Sequence, residues 1–205
     1  MIITEIRNGR IVKKFDSTPC EEYGSFLEQM LGFERCKNLL PVDKPKIELG
    51  YFSKALKKMN RCQLKYVISG VYTNLMSLAW TYGYYLTNSD RYEEELESLN
   101  KQREFWSMMG RKMAAHQTLG GEIQTGEETE YVNRLEELIE SRKHNRVGPE
   151  KNIIYFLEEP GKMNAEQLRN VLLHMVLKAR EMALEENKMF TDKAYFYETL
   201  KKIKN

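Results

Sequence analysis

Alternating hydrophobic and polar residues at the start of the chain predict a β-hairpin. Two runs rich in β-branched residues flank Asn8-Gly9, a dipeptide typical of a type I′ turn. Pairing about this turn places Ile6 opposite Ile11 and Ile2 opposite Phe15. Those four side chains would share one face, so we expect the hairpin to lie on a helical body.

Beyond the hairpin, apolar residues recur at every third or fourth position, which is the spacing of amphipathic helices. This spacing and the capping residues predict helices over 18–31, 47–59, 61–86 and 91–117, after Thr125, after Asn164 and over 191–203. Gly32 is expected to end the first helix. The third and fourth helices are expected to pack antiparallel at the centre of the fold.

Five consecutive apolar residues at 153–157 have no clear periodicity. They fit either a short buried helix that begins near Pro149 or a strand that joins the hairpin. We expect the helix.

The two most apolar helices begin with the same capping signal. Asn60 and Gln63 have the spacing of a capping box, and so do Asn164 and Gln167, at an offset of 104 residues. Several apolar positions that follow also align at this offset. Because any two capped amphipathic helices can be aligned in this way, the sequence favours chance similarity over an internal repeat.

These elements predict a mainly α protein, a multi-helix bundle of six to eight helices with an N-terminal β-hairpin. We expect a single helical domain over 1–205. Within it, the hairpin occupies 1–16, a first helical half 18–117 and a second helical half 118–205.

Composition is that of a folded protein. The chain has 205 residues, of which 41% are hydrophobic, enough to build a core. The apolar segment 64–86 is interrupted by polar residues throughout, so it predicts a buried helix rather than a membrane span. Three cysteines match neither a metal motif nor a disulfide framework, and the N-terminus lacks a secretory pattern. We therefore expect a cytoplasmic protein that makes no membrane contact.

Charge is nearly balanced overall, at +2, but is uneven along the chain. Between positions 35 and 65, nine Lys or Arg residues stand against two acids. Five of the basic residues lie at the junction of two predicted helices: Lys54, Lys57, Lys58, Arg61 and Lys65. Such a cluster predicts a surface that binds the phosphates of a nucleic acid or an acidic protein partner.

Catalytic and metal-binding patterns are weak. The Cys and His residues are too far apart for a zinc site, and phosphate-binding glycine motifs are absent. Glutamates spaced three apart could hold Mg²⁺ in a nucleotide hydrolase, namely Glu94/Glu97, Glu127/Glu130 and Glu137/Glu140. They lie off the apolar stripes, so we interpret them as solvated faces and expect no metal and no cofactor. Cys20 is expected to be a core residue rather than a reactive thiol.

A second candidate surface is a protein interface formed by Trp106, Met108, Met109 and Met113, residue types favoured at adaptable interfaces. We therefore predict a non-enzymatic binding protein, an adaptor, assembly factor or inhibitor of the kind that phages and mobile elements encode. Its expected partner is a protein, and a homodimer would satisfy the same surfaces. The alternatives are a nucleic-acid-binding protein that uses the basic cluster and a Mg²⁺-dependent nucleotide hydrolase that uses the paired glutamates.

Overall fold

The computed structural model describes residues 2–7, 10–36, 49–108, 128–144 and 151–204. Within these ranges the fold is mainly α, a multi-helix bundle preceded by a two-stranded antiparallel sheet, as predicted. The elements are β1 Ile2–Arg7, β2 Arg10–Asp16, α1 Thr18–Cys36, α2 Leu49–Lys58, α3 Arg61–Thr87, α4 Ser89–Met108, α5 Glu128–Lys143, α6 Lys151–Glu158, a 3-10 turn Glu159–Gly161, α7 Ala165–Thr191 and α8 Lys193–Lys204.

The hairpin forms with a register that differs in part from the predicted one. Ile6 lies opposite Ile11 as expected, but Phe15 lies opposite Ile3 rather than Ile2. A register shift between Glu5 and Ile6 gives β2 one extra residue, the signature of a β-bulge. A one-residue slip moves side chains to the other face of a strand, which explains why Ile2 is 69% exposed.

The structure tests two predictions about helices, the end of the first helix and the assignment of 153–157. The predicted end at Gly32 is wrong, because α1 continues to Cys36. A helical glycine costs about 1 kcal/mol, and the turn that follows Gly32 is joined to α7 by ion pairs of Glu34 and Arg35. The segment 153–157 is helical, within α6, as expected.

Two parallel helices, α3 and α7, form the centre of the molecule. At their N-terminal ends, Arg61 Nε donates to the carbonyl of Met163 at 2.8 Å. Beyond their C-terminal ends, the rings of Tyr92 and Phe196 stack with centroids 3.5 Å apart. The predicted antiparallel pairing of α3 with α4 is wrong, because α3 packs more extensively on α7. The single residue Asn88 between α3 and α4 is also shorter than the loop of an antiparallel helical hairpin, about two to five residues.

The two halves of the helical region repeat one another. α3 and α7 both have 27 residues, both begin with an Asn–Gln capping box and both are followed, after one residue, by another helix. Matching residues lie 104 positions apart: Tyr51 and Tyr155, Phe52 and Phe156, Met59 and Met163, Thr87 and Thr191, Tyr92 and Phe196, Leu96 and Leu200. The agreement at an offset of 104 residues therefore relates α2, α3 and α4 to α6, α7 and α8. An internal repeat of a four-helix unit explains this agreement better than chance.

The contacts between helices are also equivalent in the two halves of the repeat. Tyr23 of α1 meets Phe52 edge-on at 5.1 Å, and Tyr131 of α5 meets Phe156 edge-on at 5.1 Å. In turn, α1 packs mainly on α7, whereas α5 packs mainly on α3. Each half thus covers the central helix of the other, which ties the two repeats into one core.

A second, smaller core lies where α3 and α7 end. It is built from Tyr82 and Leu86 of α3, Met189 and Phe190 of α7, and the first apolar residues of α4 and α8. Buried Tyr92 donates its hydroxyl to the carbonyl of Met189 at 2.9 Å, which satisfies the polar end of an otherwise apolar side chain. Among the helices that the structure describes, none combines the length and the apolar character that a membrane span requires.

Candidate protein-binding surface

The side of α3 that points away from the core carries no charge. No Lys, Arg, Asp or Glu occurs between Lys65 and Asp90, in a chain of which 30% is charged. We call this side the α3 face, and its residues, which recur every three or four positions, are Tyr66, Ser69, Gly70, Thr73, Ser77, Trp80 and Tyr84. The face from Tyr66 to Tyr84 is about 27 Å long at 1.5 Å per residue.

Large aromatic side chains stand at both ends of the α3 face. Trp80 is 55% exposed and stacks on Tyr84 with ring centroids 5.3 Å apart. At the other end, Tyr66 is 46% exposed and packs edge-on against Phe15 of the hairpin at 5.9 Å. The hairpin therefore borders the α3 face at Tyr66, and the middle of the face consists of small residues. Gly70 has open space where a Cβ would be.

Three polar side chains on or beside the α3 face donate to carbonyls of the helix itself. Thr73 donates its hydroxyl to the carbonyl of Ser69, and Thr81 to that of Ser77, both at 3.0 Å. The Asn74 side-chain amide likewise donates to the carbonyl of Gly70 at 3.2 Å. These three donors would therefore keep their acceptors when a partner covers the α3 face, whereas the Ser69 and Ser77 hydroxyls and the Trp80 indole would need acceptors from the partner or from water.

The internal repeat supplies a comparison for this surface. On α7, Glu181 occupies the position that Ser77 has on α3, and Lys188 occupies that of Tyr84. The Nζ of Lys178 lies 3.0 Å from the Glu181 carboxylate, so this side of α7 carries an exposed ion pair. The same scaffold position is thus charged in one half and uncharged in the other.

The predicted basic cluster divides into two groups in the structure. Lys54, Lys57 and Lys58 are exposed on α2. Arg61 instead serves the fold, because Nε donates to the carbonyl of Met163 and Nη2 to that of Gly161, both at 2.8 Å. Lys65 is half-buried, and its Nζ lies 3.7 Å from where a Cβ on Gly161 would be. The three lysines of α2 are therefore directed to solvent, whereas exposed Arg61 is held against two backbone carbonyls.

The predicted aromatic and methionine interface falls mostly outside the described residues. Trp106 and Met108 belong to the last turns of α4, but their side chains lie outside the described set. Met109 and Met113 lie outside the described residues altogether. This surface stays a prediction.

Of the paired glutamates that the structure describes, four form surface ion pairs and Glu137 is exposed. Glu94 lies 2.7 Å from Arg91, and Glu97 lies 2.7 Å from Lys101. Glu130 and Glu140 pair in the same way with Arg134 and Lys143, at 2.6 and 3.2 Å, while Glu127 lies outside the described residues. Among the residues that the structure describes, no group of three His, Cys, Asp or Glu side chains is arranged to hold a metal ion.

Cys20 is a core residue, as expected. Its side chain is 4% exposed, and burial raises the pKa of its thiol to about 11, with the nearby Asp16 and Glu21 carboxylates adding to the effect. A thiol with so high a pKa is almost entirely protonated at neutral pH and is a poor nucleophile.

Sequence reasoning did not single out the α3 face. Its signal was the long absence of charge after Lys65, and this was interpreted only as the mark of a buried helix. The exposed positions of Tyr66 and Trp80 became evident only once the neighbours of α3 were placed. Comparison with known proteins adds no assignment, since no family model, curated protein or solved structure matches the chain.

Proposed function

We propose that this is a non-enzymatic binding protein whose α3 face docks on a helix of another protein chain. The observation that carries the proposal is the difference between the halves of the repeat. Glu181 and Lys188 solvate the outer side of α7, whereas Ser77 and Tyr84 leave the same positions of α3 uncharged. Depletion of charge together with exposed aromatic residues is typical of the core of a protein interface.

The shape of the α3 face favours a helix as the docked element. Ser69, Thr73 and Ser77 form a row of small side chains at a spacing of four. Such rows let a second helix approach towards the lower end of the usual interaxial range, about 8 Å. Tyr66 and Trp80 stand exposed at the two ends of the row, where both would contact a helix docked along it. We place the protein in the cytoplasm, where its three free cysteines stay reduced.

Photo-cross-linking at a single position tests this proposal. Ser77 is replaced by benzoylphenylalanine in the full chain, which is expressed in its native cells and irradiated. The matched control carries the same residue at position 181, on the outer side of α7. We expect a covalent adduct to a protein from position 77 and none from position 181. Equal labelling from both positions, or none from position 77, would contradict the proposal.

A second candidate function rests on the exposed lysines of α2. Lys54, Lys57 and Lys58 lie within five residues on one short helix and could contact the phosphates of a nucleic acid. Titration with single-stranded and duplex oligonucleotides at low salt tests it. Binding that weakens with salt and is lost in Lys54→Glu/Lys57→Glu would support this function, whereas a flat titration would exclude it.

A further inference from the structure

We infer that the chain docked on the α3 face is a second copy of this protein, paired antiparallel about a two-fold axis at Thr73. The inference rests on the proposed function and names the partner of that same surface. It is carried by the order of residues along the face.

Four residues of the α3 face lie in matched pairs about Thr73, whereas the mirror positions of Gly70 and Tyr84, which are 76 and 62, lie outside the face. Ser69 and Ser77 lie four residues to either side of it, and Tyr66 and Trp80 lie seven residues to either side. If two copies pack antiparallel about Thr73, each serine lies opposite a serine, and each Tyr66 lies opposite a Trp80. Small side chains then meet at the centre, and aromatic pairs close both ends of the contact, about 21 Å apart.

Self-complementarity of this kind is what a two-fold interface requires. In such an interface the same patch is used twice, so residue i contacts residue j while residue j contacts residue i. A surface adapted to a foreign helix has no reason to carry two matched pairs about one of its own residues. The outer side of α7 has a different order, with Leu177 in place of Thr73 and Glu181 in place of Ser77. The pairing therefore closes as a dimer and does not propagate into a filament.

The size of the α3 face sets the expected strength of the dimer. A strip about 27 Å long and one helix wide falls below the interface area of a stable complex, about 800 Å² per partner. We therefore expect a dimer that forms in the micromolar range and dissociates on dilution. Bulky Tyr66 and Trp80 supply most of the buried area.

Disulfide trapping tests the geometry. Cysteine is introduced in the full chain carrying Cys36→Ser and Cys62→Ser, with buried Cys20 retained. Thr73→Cys places two thiols at the two-fold axis, so mild oxidation is expected to give a covalent dimer. Ser69→Cys is the matched control, because its two copies would lie about 12 Å apart along the helices, too far for a disulfide. Mixing Ser69→Cys with Ser77→Cys is expected to restore cross-linking between unlike chains.

Each outcome of the trapping experiment either supports the antiparallel dimer or overturns it. A Thr73→Cys dimer without a Ser69→Cys dimer supports antiparallel pairing, provided circular dichroism shows that both variants are folded. Equal trapping of both variants, or trapping of neither, overturns it. A foreign protein captured by the probe at position 77, with no Thr73→Cys dimer, would leave the proposed function standing and remove only the second copy.

Discussion

Glu186 shows how one buried charge is held in this fold. Its side chain on α7 is 5% exposed, and one carboxylate oxygen accepts a hydrogen bond from Arg35 Nη2 of α1 at 2.7 Å. Burial raises the pKa of this carboxyl above its usual value, and the Arg35 guanidinium opposes the shift only in part. The Asn187 amide completes the contact by donating to the carbonyl of Arg35 at 2.9 Å.

The raised pKa of Glu186 makes stability depend on pH. A carboxyl whose folded pKa lies above its unfolded value, 4.5, favours folding below that pH and loses this contribution as the pH rises through the folded pKa. We expect the free energy of unfolding of the native chain, relative to Glu186→Gln, to fall between about pH 4.5 and neutrality. Urea denaturation of both proteins across this range measures the difference.

The control for this measurement is Glu181→Gln, which changes an exposed carboxylate on the same helix. A difference between the native chain and Glu186→Gln that does not vary with pH would contradict the account of Glu186.

The spacing of residues along the chain predicts which apolar side chains are buried, but it does not predict which charged side chains form ion pairs. The buried positions of Phe52, Leu64 and Leu168 follow from helical periodicity. The ion pairs that Glu34 and Arg35 make with α7 do not, because charged residues in a last helical turn are expected to face solvent. Their partners, Arg180 and Glu186, lie about 150 positions away, and local spacing carries no information about so distant a contact.

At the scale of helices, two glycines of α3 have opposite roles. A Cβ on Gly83 would lie 2.5 Å from the carbonyl oxygen of Arg142 and 2.8 Å from that of Lys143, so α3 and α5 approach closely only because this residue has no side chain. A Cβ on Gly70 would meet nothing within 4 Å. Because Gly70 lies on the α3 face, the comparison applies to the monomer, in which the same substitution tests packing at Gly83 and helix propensity at Gly70.

We predict that Gly83→Ala destabilises the protein and that Gly70→Ala stabilises it. The first change forces two backbone carbonyls to move and should cost about 1–3 kcal/mol, the range of overpacked cores. The second should gain about 0.5–1 kcal/mol, since alanine is the better helix former. Urea denaturation of the two variants beside the native chain gives both values. Equal effects would show that α5 does not approach α3 at Gly83.

Helix ends were predictable where the sequence contains capping residues. The capping boxes of α3 and α7 form as the sequence predicts, with Asn60 and Asn164 accepting from the backbone of the next turn. The bulge in the hairpin was not predictable, because alternation of residues does not show where one strand gains an extra residue. The pairing of α3 with α7 was also missed, since short connections favour neighbours in sequence.

At the scale of the molecule, the internal repeat is the feature that the sequence concealed most. Residues of α2, α3 and α4 match those of α6, α7 and α8 at an offset of 104, but α1 matches α5 at 108, as Tyr23 and Tyr131 show. Because the first and second helices are separated by different numbers of residues in the two halves, no single offset aligns all four helices. Only the equivalent contacts of Phe52 and Phe156 reveal that both halves share one architecture.

The repeat also makes the α3 face stand out from the rest of the surface. Two equivalent helices present their outer sides to solvent, and only the α7 side carries the charge that solvation favours. Exposed Trp80 and Tyr66 on the α3 side are instead suited to burial against another chain. We propose that the α3 face is an interface and that a second copy covers it.

Molar mass from light scattering, measured across a dilution series, tests that claim most directly. The native chain is expected to pass from dimer to monomer as it is diluted, and Ser77→Glu, which introduces the charge found on α7, is expected to stay monomeric. Glu181→Ser is the matched control and should behave like the native chain. A native chain that stays monomeric at every concentration, or a dimer that survives Ser77→Glu, would contradict the account.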